Sequence, residues 1–205
     1  MMLTSFTEDA GLELRAAGDG SRRLRGRFPY GKRAVLSDGG RTGKPRKEVI
    51  QPKAFAYRVE RPEEEIHLLI GHSFDRPLAS KQAGTLILSD NDDALTFEAI
   101  ITQEVQQTTW AQDFFNAYAA GLIRGISPGF RIPPKRAVPD AETVEEEDPA
   151  EGIAIIRNIW AALLYELSFV TRPAYDETEV EERNWAVTDG GMMVPAVNPL
   201  NKWRL

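Results

Sequence analysis

The apolar residues of this chain fall into short runs that polar, Gly-containing or Pro-containing stretches interrupt. Short runs rich in branched and aromatic side chains favour strands over helices. A polar turn at 90–93 joins two such runs, which indicates a hairpin. The clearest predicted strands are at 66–70, 85–88, 95–101, around Ser127, at 153–159 and at 162–170, with weaker ones at 11–17, within 22–35 and at 48–50.

One helix is predicted, and it leads directly into the segment that contains Ser127. Thr109 and Gln112 have the form of a capping box, and Gly121 can end the helix. Between them, apolar side chains recur at helical spacing. These are Phe114, Phe115, Tyr118 and Leu122.

Many strands and one helix favour a mainly β fold with flanking helices (α+β). We predict a closed β-barrel of about seven strands rather than a parallel sheet. Residues 1–20 are predicted to be an N-terminal extension, 21–182 the main domain and 183–205 a C-terminal tail. Residues 73–83 are predicted to form a loop, and the Pro- and Glu-rich stretch 133–152 a mobile acidic loop.

Composition excludes several classes of function. The 205 residues include no cysteine, which excludes a disulfide framework and thiolate chemistry. The net charge of −6 argues against general affinity for nucleic acid. No apolar run approaches the ~20 residues of a membrane span, and the N-terminus lacks a secretory layout. The two histidines, His67 and His72, lack zinc-ligand spacing, so we expect no metal. No organic cofactor is expected either.

A serine lies within the segment 125–130, which reads Gly-Ile-Ser-Pro-Gly-Phe. Ser127 can be simply a small residue at a tight turn. Two features favour a chemical role. Its apolar neighbours would hold the backbone firmly, and the two glycines permit close approach of a substrate chain. Ser127 is therefore a candidate nucleophile.

His72 follows the 66–70 strand and Gly71. A lone histidine at a strand end is usually structural, but only His67 competes for a chemical role. His67 alternates away from the apolar face of its strand. A neutral imidazole suits proton transfer from a hydroxyl at neutral pH. His72 is therefore the candidate general base.

Glu166 interrupts an apolar run and is either on a solvent face or buried with a partner. If it is buried, a histidine is its natural partner, because a carboxylate sets the imidazole tautomer and stabilises the imidazolium. Arg172 is either a surface arginine or a residue that orients an oxyanion donor near Ser127.

Five segments in this order closely resemble the prohead (procapsid) maturation protease family of tailed bacteriophages. The resemblance covers about residues 24–180, and the last two segments together are the specific ones. The segments are Glu-Val-Ile-x-Pro-x-Ala-Phe (48–55), Leu-Leu-Ile-Gly-His (68–72), Gly-Thr-Leu-x-Leu (84–88), Gly-Leu-Ile-Arg-Gly-Ile-Ser-Pro-Gly-Phe (121–130) and Tyr-Glu-Leu-Ser-Phe-Val-Thr-Arg-Pro-Ala-Tyr (165–175).

The resemblance implies a serine endopeptidase with a β-barrel similar to that of herpesvirus assemblin. It implies Ser127 as nucleophile and His72 as base, and Glu166 stands where the herpesvirus relatives have a second histidine. The implied substrates are the scaffold or a scaffold-like segment of the major capsid protein, and the protease itself. The implied location is the procapsid in the bacterial host cytoplasm, and self-association is a further expectation. The rival hypothesis is a non-catalytic capsid scaffold or assembly factor on the same fold.

Overall fold

Strands dominate the structure, a computed structural model that describes residues 13–16, 20–41, 43–173, 185–187 and 193–195. The strands are β1 (Glu13–Ala16), β2 (Arg22–Pro29), β3 (Arg33–Ser37), β4 (Arg46–Ile50), β5 (His67–Ile70), β6 (Ser73–Ser80), β7 (Leu86–Asp90), β8 (Ala94–Ile101), β9 (Gly125–Arg131), β10 (Glu142–Glu146), β11 (Ile155–Ile159), β12 (Leu163–Val170), β13 (Trp185–Val187) and β14 (Met193–Pro195). The helices are α1 (Ala56–Glu60), α2 (Gln103–Gln106) and α3 (Thr109–Ala119).

Twelve of the strands form three separate open sheets of four strands each. The first sheet has the order β1-β2-β8-β7, the second β10-β11-β4-β3, and the third β6-β5-β12-β9. In the described part of the chain no strand pairing joins one of these sheets to another or closes a sheet on itself. The predicted closed barrel of about seven strands is therefore wrong.

The reason for this error lies in the long-range pairings. β4 pairs parallel with β11, and β5 pairs parallel with β12. Alternation of apolar and polar residues identifies a strand and its buried face, but it does not identify the neighbouring strand. Whether a sheet closes depends on which strands become its edges, and that choice is made by contacts between distant segments.

Aromatic side chains connect the third sheet to the first sheet and to α3. Phe169 of β12 has its ring centroid 4.6 Å from that of Phe114 in α3 and 6.2 Å from that of Phe97 in β8. All three rings are buried. One face of β12 is thereby fixed in the apolar core, and the residues that alternate with Phe169 point to the opposite face of the sheet.

The predicted helix is confirmed as α3, with its start shifted by one residue. Thr108 is the N-cap, and its side chain accepts a hydrogen bond from Ala111 N. Gly121 has φ +70°, and its N–H donates to Tyr118 O, while Leu122 N–H donates to Ala117 O. This pair of bonds is the glycine-dependent helix ending that the position of Gly121 indicated.

Two segments predicted as loops contain strands. Residues 73–80 form β6, which pairs with β5 through register shifts. Pro77 and the polar composition of this segment are untypical of a strand, which is why a loop was predicted. Residues 142–146, within the stretch expected to be a mobile acidic loop, form the edge strand β10. Basic and amide side chains of β11 and of the segment before β4 contact its carboxylates: Asn158 with Glu145, Arg157 with Glu142, and Lys44 with Glu146.

The two chain ends lie partly outside the described residues. Within the predicted extension 1–20, β1 pairs with β2 at the edge of the first sheet. Within the predicted tail 183–205, β13 and β14 pair antiparallel with each other. Apart from Gly20, the remainder of both segments lies outside the described part of the chain.

Candidate active site

His72 occupies a tight turn between β5 and β6. Ile70 and Ser73 are paired across the hairpin, and the two turn residues, Gly71 and His72, both have φ +61°. Two successive positive φ angles define the turn type whose twist matches that of the flanking strands. A histidine in this left-handed region is uncommon, so the position of the imidazole is set by a strained backbone.

Hydrogen bonds from the turn to β12 hold this conformation. Gly71 N–H donates to Phe169 O at 3.0 Å, and His72 N–H donates to Ser168 Oγ at 2.9 Å. The second bond uses a side chain, because the backbone pairing of β5 with β12 ends at Ile70, before the turn. The turn that carries His72 is therefore attached to the strand that carries Glu166.

Glu166 lies against the imidazole of His72. Its Oε1 is 2.7 Å from His72 Nδ1, and only 4% of Glu166 is exposed. The alternative of a solvent-facing carboxylate is therefore wrong, and the alternative of a buried carboxylate with a histidine partner is confirmed. A carboxylate in its ionised form only accepts hydrogen bonds, so this contact favours the imidazole tautomer with hydrogen on Nδ1 and a lone pair on Nε2.

Ser127 lies on the neighbouring strand, on the same face as Glu166 and Ser168. β9 and β12 are antiparallel, with Ser127 opposite Ser168 and Gly129 opposite Glu166. Residues directly opposite each other on such strands have Cα atoms roughly 4.5–5.5 Å apart. Ser127 is 7% exposed and lies on an edge strand of the third sheet.

The structure brings two of the three predicted residues into direct contact and places the third one strand away. His72 and Glu166 are hydrogen-bonded, whereas in the described residues no hydrogen bond joins the Ser127 hydroxyl to the imidazole. Catalytic hydrogen bonds are often long in the absence of substrate. The arrangement is an imidazole–carboxylate pair on two adjoining strands, with a serine on the next.

The other two residues considered from the sequence lie apart from this contact. The ring of His67 packs edge-on against Phe74, with centroids 5.7 Å apart. Arg172 is exposed just beyond the end of β12.

Sequence reasoning missed two features of the site. Ser168 is fully buried, and its hydroxyl donates to Glu166 Oε2 at 2.5 Å. Its signal in the sequence is its position two residues after Glu166, which places both side chains on one face of a strand. Gly129 is also required: a Cβ at this position would lie 1.9 Å from Glu166 Oε1. Steric demands of this kind have no local signal.

No group of three or more His, Asp or Glu side chains in the described residues is arranged to hold a metal ion. Among the same residues, no helix has the length and apolar character needed to cross a membrane. What the site does contain is a serine hydroxyl, an imidazole and a carboxylate, the types of group that serine peptidases use.

Comparison with known proteins agrees with that chemistry. The model of the caudovirus prohead serine protease family matches residues 37–190. This is more than half of the chain, and the chain belongs to that family. No curated protein and no solved structure gave a significant match.

Proposed function

We propose that this chain is the endopeptidase of procapsid maturation, with Ser127 as nucleophile, His72 as general base and Glu166 as the carboxylate that orients His72. The proposed substrates are segments of the scaffold or of the major capsid protein, and the protease itself. The proposed place of action is the inside of the procapsid in the bacterial host cell. Membership of a caudovirus prohead serine protease family supports a peptidase role in procapsid maturation.

The observation that carries the proposal is the 2.7 Å contact between His72 Nδ1 and a buried Glu166. A carboxylate with so little exposure is retained only where it has partners. Here its partners are an imidazole and a serine hydroxyl. The carboxylate selects the tautomer in which Nε2 is the base, and it stabilises the imidazolium that proton uptake creates.

The reaction then follows from these roles. Ser127 Oγ attacks the scissile carbonyl carbon as its proton passes to His72 Nε2, which gives a tetrahedral oxyanion. The C–N bond breaks as His72 returns that proton to the leaving amine, and an acyl ester remains on Ser127. Water then attacks the ester carbonyl as its proton passes to His72; the acyl C–Oγ bond breaks, His72 returns that proton to Ser127 Oγ, and the second product leaves as a carboxylic acid.

The oxyanion requires hydrogen-bond donors at the place where its charge develops. We assign this role to backbone amides near Arg172, with the guanidinium helping to orient them. The assignment is supported by position. The end of β12 faces the start of β9, with Val170 opposite Gly125, and Ser127 is two residues further along β9.

The test is co-expression of this chain with the major capsid protein of the same genome, followed by mass measurement of the products. Cleaved capsid protein is expected with the wild-type chain, and intact capsid protein with Ser127→Ala. Normal processing by Ser127→Ala would remove Ser127 as nucleophile. Assembly of capsids that depends on the chain, with no cleavage of any protein, would favour the non-catalytic assembly factor.

A further inference from the structure

Ser168 connects the two halves of the His72–Glu166 pair. Its hydroxyl accepts the backbone N–H of His72 at 2.9 Å and donates to Glu166 Oε2 at 2.5 Å. The side chain is fully buried. A serine hydroxyl has one hydrogen to donate, and here that hydrogen goes to the carboxylate.

The two bonds fix the backbone of the His72 turn and the rotation of the Glu166 carboxylate, and these two determine where the imidazole lies. The bond from His72 N–H holds a turn in which a non-glycine residue has φ +61°. The bond to Oε2 fixes the rotation of the carboxylate, which leaves Oε1 directed at Nδ1. Since hydrogen bonds in such a chain polarise one another, the two contacts strengthen each other.

Ser168 lies directly opposite Ser127. The two serines differ in their exposure, and therefore in whether a substrate can reach the hydroxyl. Ser168 has no exposed surface and its proton is committed to Glu166. A peptide carbonyl therefore has no access to its oxygen. Ser127 retains some exposure, and its position on the edge strand β9 leaves one side of that strand without a neighbouring strand of the same sheet.

We propose that Ser168 is a positioning residue that holds the His72 turn and the Glu166 carboxylate as one unit. This inference rests on the proposed function, because it assigns to Ser168 an effect on the reactivity of Ser127. It predicts that loss of the hydroxyl slows the chemical step while leaving substrate binding and the fold largely intact.

The test uses a fluorophosphonate probe on the full chain. In labelling, the Oγ–P bond forms, the P–F bond breaks, fluoride leaves, and the serine proton passes to the base. The maximal labelling rate and the half-saturating probe concentration are measured for wild type and Ser168→Ala, and mass spectrometry locates the label. Ser168→Ala is expected to lower the maximal rate about 10- to 100-fold, with half-saturation unchanged, because the base stays in place but is less well oriented; complete loss of a general base costs roughly 10²- to 10⁴-fold.

A matched control exists within the same sheet. Ser80 Oγ also donates to a carboxylate, Glu65 Oε2, and also accepts a backbone N–H, that of Ala83. Ser80→Ala therefore removes a hydroxyl with the same hydrogen-bonding pattern as that of Ser168, but one that does not contact His72 or Glu166. It is expected to be labelled at the wild-type rate. If both variants lose rate equally, the effect is general to the sheet and the inference is wrong.

A double-mutant cycle shows whether Ser168 acts through the Glu166 carboxylate. In a Glu166→Ala background the hydroxyl has lost the carboxylate that it orients, so adding Ser168→Ala is expected to change the rate less than about 3-fold. Full additivity of the two losses would overturn the inference. If Ser168→Ala is insoluble, Ser168→Cys supplies the comparison, because the somewhat larger thiol leaves no cavity and weakens both hydrogen bonds. A soluble Ser168→Cys protein with the wild-type labelling rate would also overturn it.

The same experiment separates the inference from the proposed function. If wild type is labelled at Ser127 and Ser168→Ala is labelled equally fast, only the role of Ser168 fails. If wild type is not labelled at Ser127 and cleaves no capsid protein, the proposed function fails, and the inference fails with it.

Discussion

Gly129 and Glu166 lie opposite each other on β9 and β12, and the carboxylate fills the space that a side chain on Gly129 would need. A Cβ on residue 129 would lie 1.9 Å from Glu166 Oε1 and 2.6 Å from Cδ. The oxygen involved is the one that contacts His72. Gly129 thus leaves space for the contact between the imidazole and the carboxylate, and it also belongs to the segment 125–130 that contains Ser127.

Gly129→Ala is expected to displace the Glu166 carboxylate from His72 and to lower kcat by about 100-fold or more, the scale of a misplaced catalytic group. The rate of capsid-protein cleavage measures the effect. Thermal unfolding of the same variant distinguishes a local displacement from loss of the fold. Wild-type activity in a folded Gly129→Ala protein would show that the contact is not needed.

The two histidines are expected to respond in opposite ways to substitution. His72→Ala removes the base and should abolish cleavage, whereas His67→Ala removes an edge-on contact with Phe74 worth about 0.5–1.5 kcal/mol and should keep the activity. Both variants are compared by capsid-protein cleavage and by Tm. Activity in His72→Ala together with inactivity in His67→Ala would move the base to His67.

Glu166→Gln keeps the shape of the side chain and removes its charge, so the imidazolium loses its stabilising partner. The analogous change in a Ser-His-Asp triad costs about 10⁴-fold in kcat, and we expect a loss of that order here. Steady-state cleavage of a capsid-protein peptide gives the measurement. If nearly full activity remains, the enzyme works as a dyad or uses another partner.

Asp90 provides a stability prediction away from the site. Burial raises the pKa of the Asp90 carboxyl, and the hydrogen bond from the Tyr30 hydroxyl, 2.7 Å away, opposes that rise. Oδ2 is buried with no hydrogen-bond partner in the described residues. Because folding raises this pKa, the folded state favours the protonated form. Stability from Asp90 is therefore complete below the unfolded pKa and is lost as the pH rises through the folded pKa.

Asp90→Asn should consequently raise Tm by a few degrees at pH 7, where the wild-type carboxylate carries a desolvation cost, and by less near pH 4. Asn keeps an oxygen that can accept from Tyr30. Scanning calorimetry of both proteins at the two pH values gives the difference. A larger gain at pH 4 than at pH 7 would contradict the sign of this argument.

A chain that ends after Glu182 is expected to fold and to retain peptidase activity. Within the described residues, β13 and β14 pair with each other and with none of the three large sheets, so removing them breaks no ladder of the site. A second chain that ends at Gly190 keeps the whole of the family match and serves as the control. If both shortened chains are insoluble or inactive, the tail belongs to the domain.

We also predict that the tail is trimmed during maturation, which intact mass of the mature protein would show.

The sequence by itself determined the elements and the chemical groups of this protein. Local periodicity located α3 and most of the strands, since apolar spacing reflects which residues of a segment can be buried together. Alternation within β12 also placed Glu166 and Ser168 on one face. Ser127, His72 and Glu166 could be selected because each ends or interrupts an apolar run.

Only the tertiary structure decided how these parts are arranged. The parallel pairing of β5 with β12 brings His72 to Glu166 across 94 residues of sequence, and the same long-range pairings leave three open sheets in place of a barrel. The bridging role of Ser168 and the steric demand at Gly129 arise only after those strands are side by side. The physical reason is that burial patterns are properties of single segments, whereas strand partners, edges and close contacts depend on the packing of distant segments against each other.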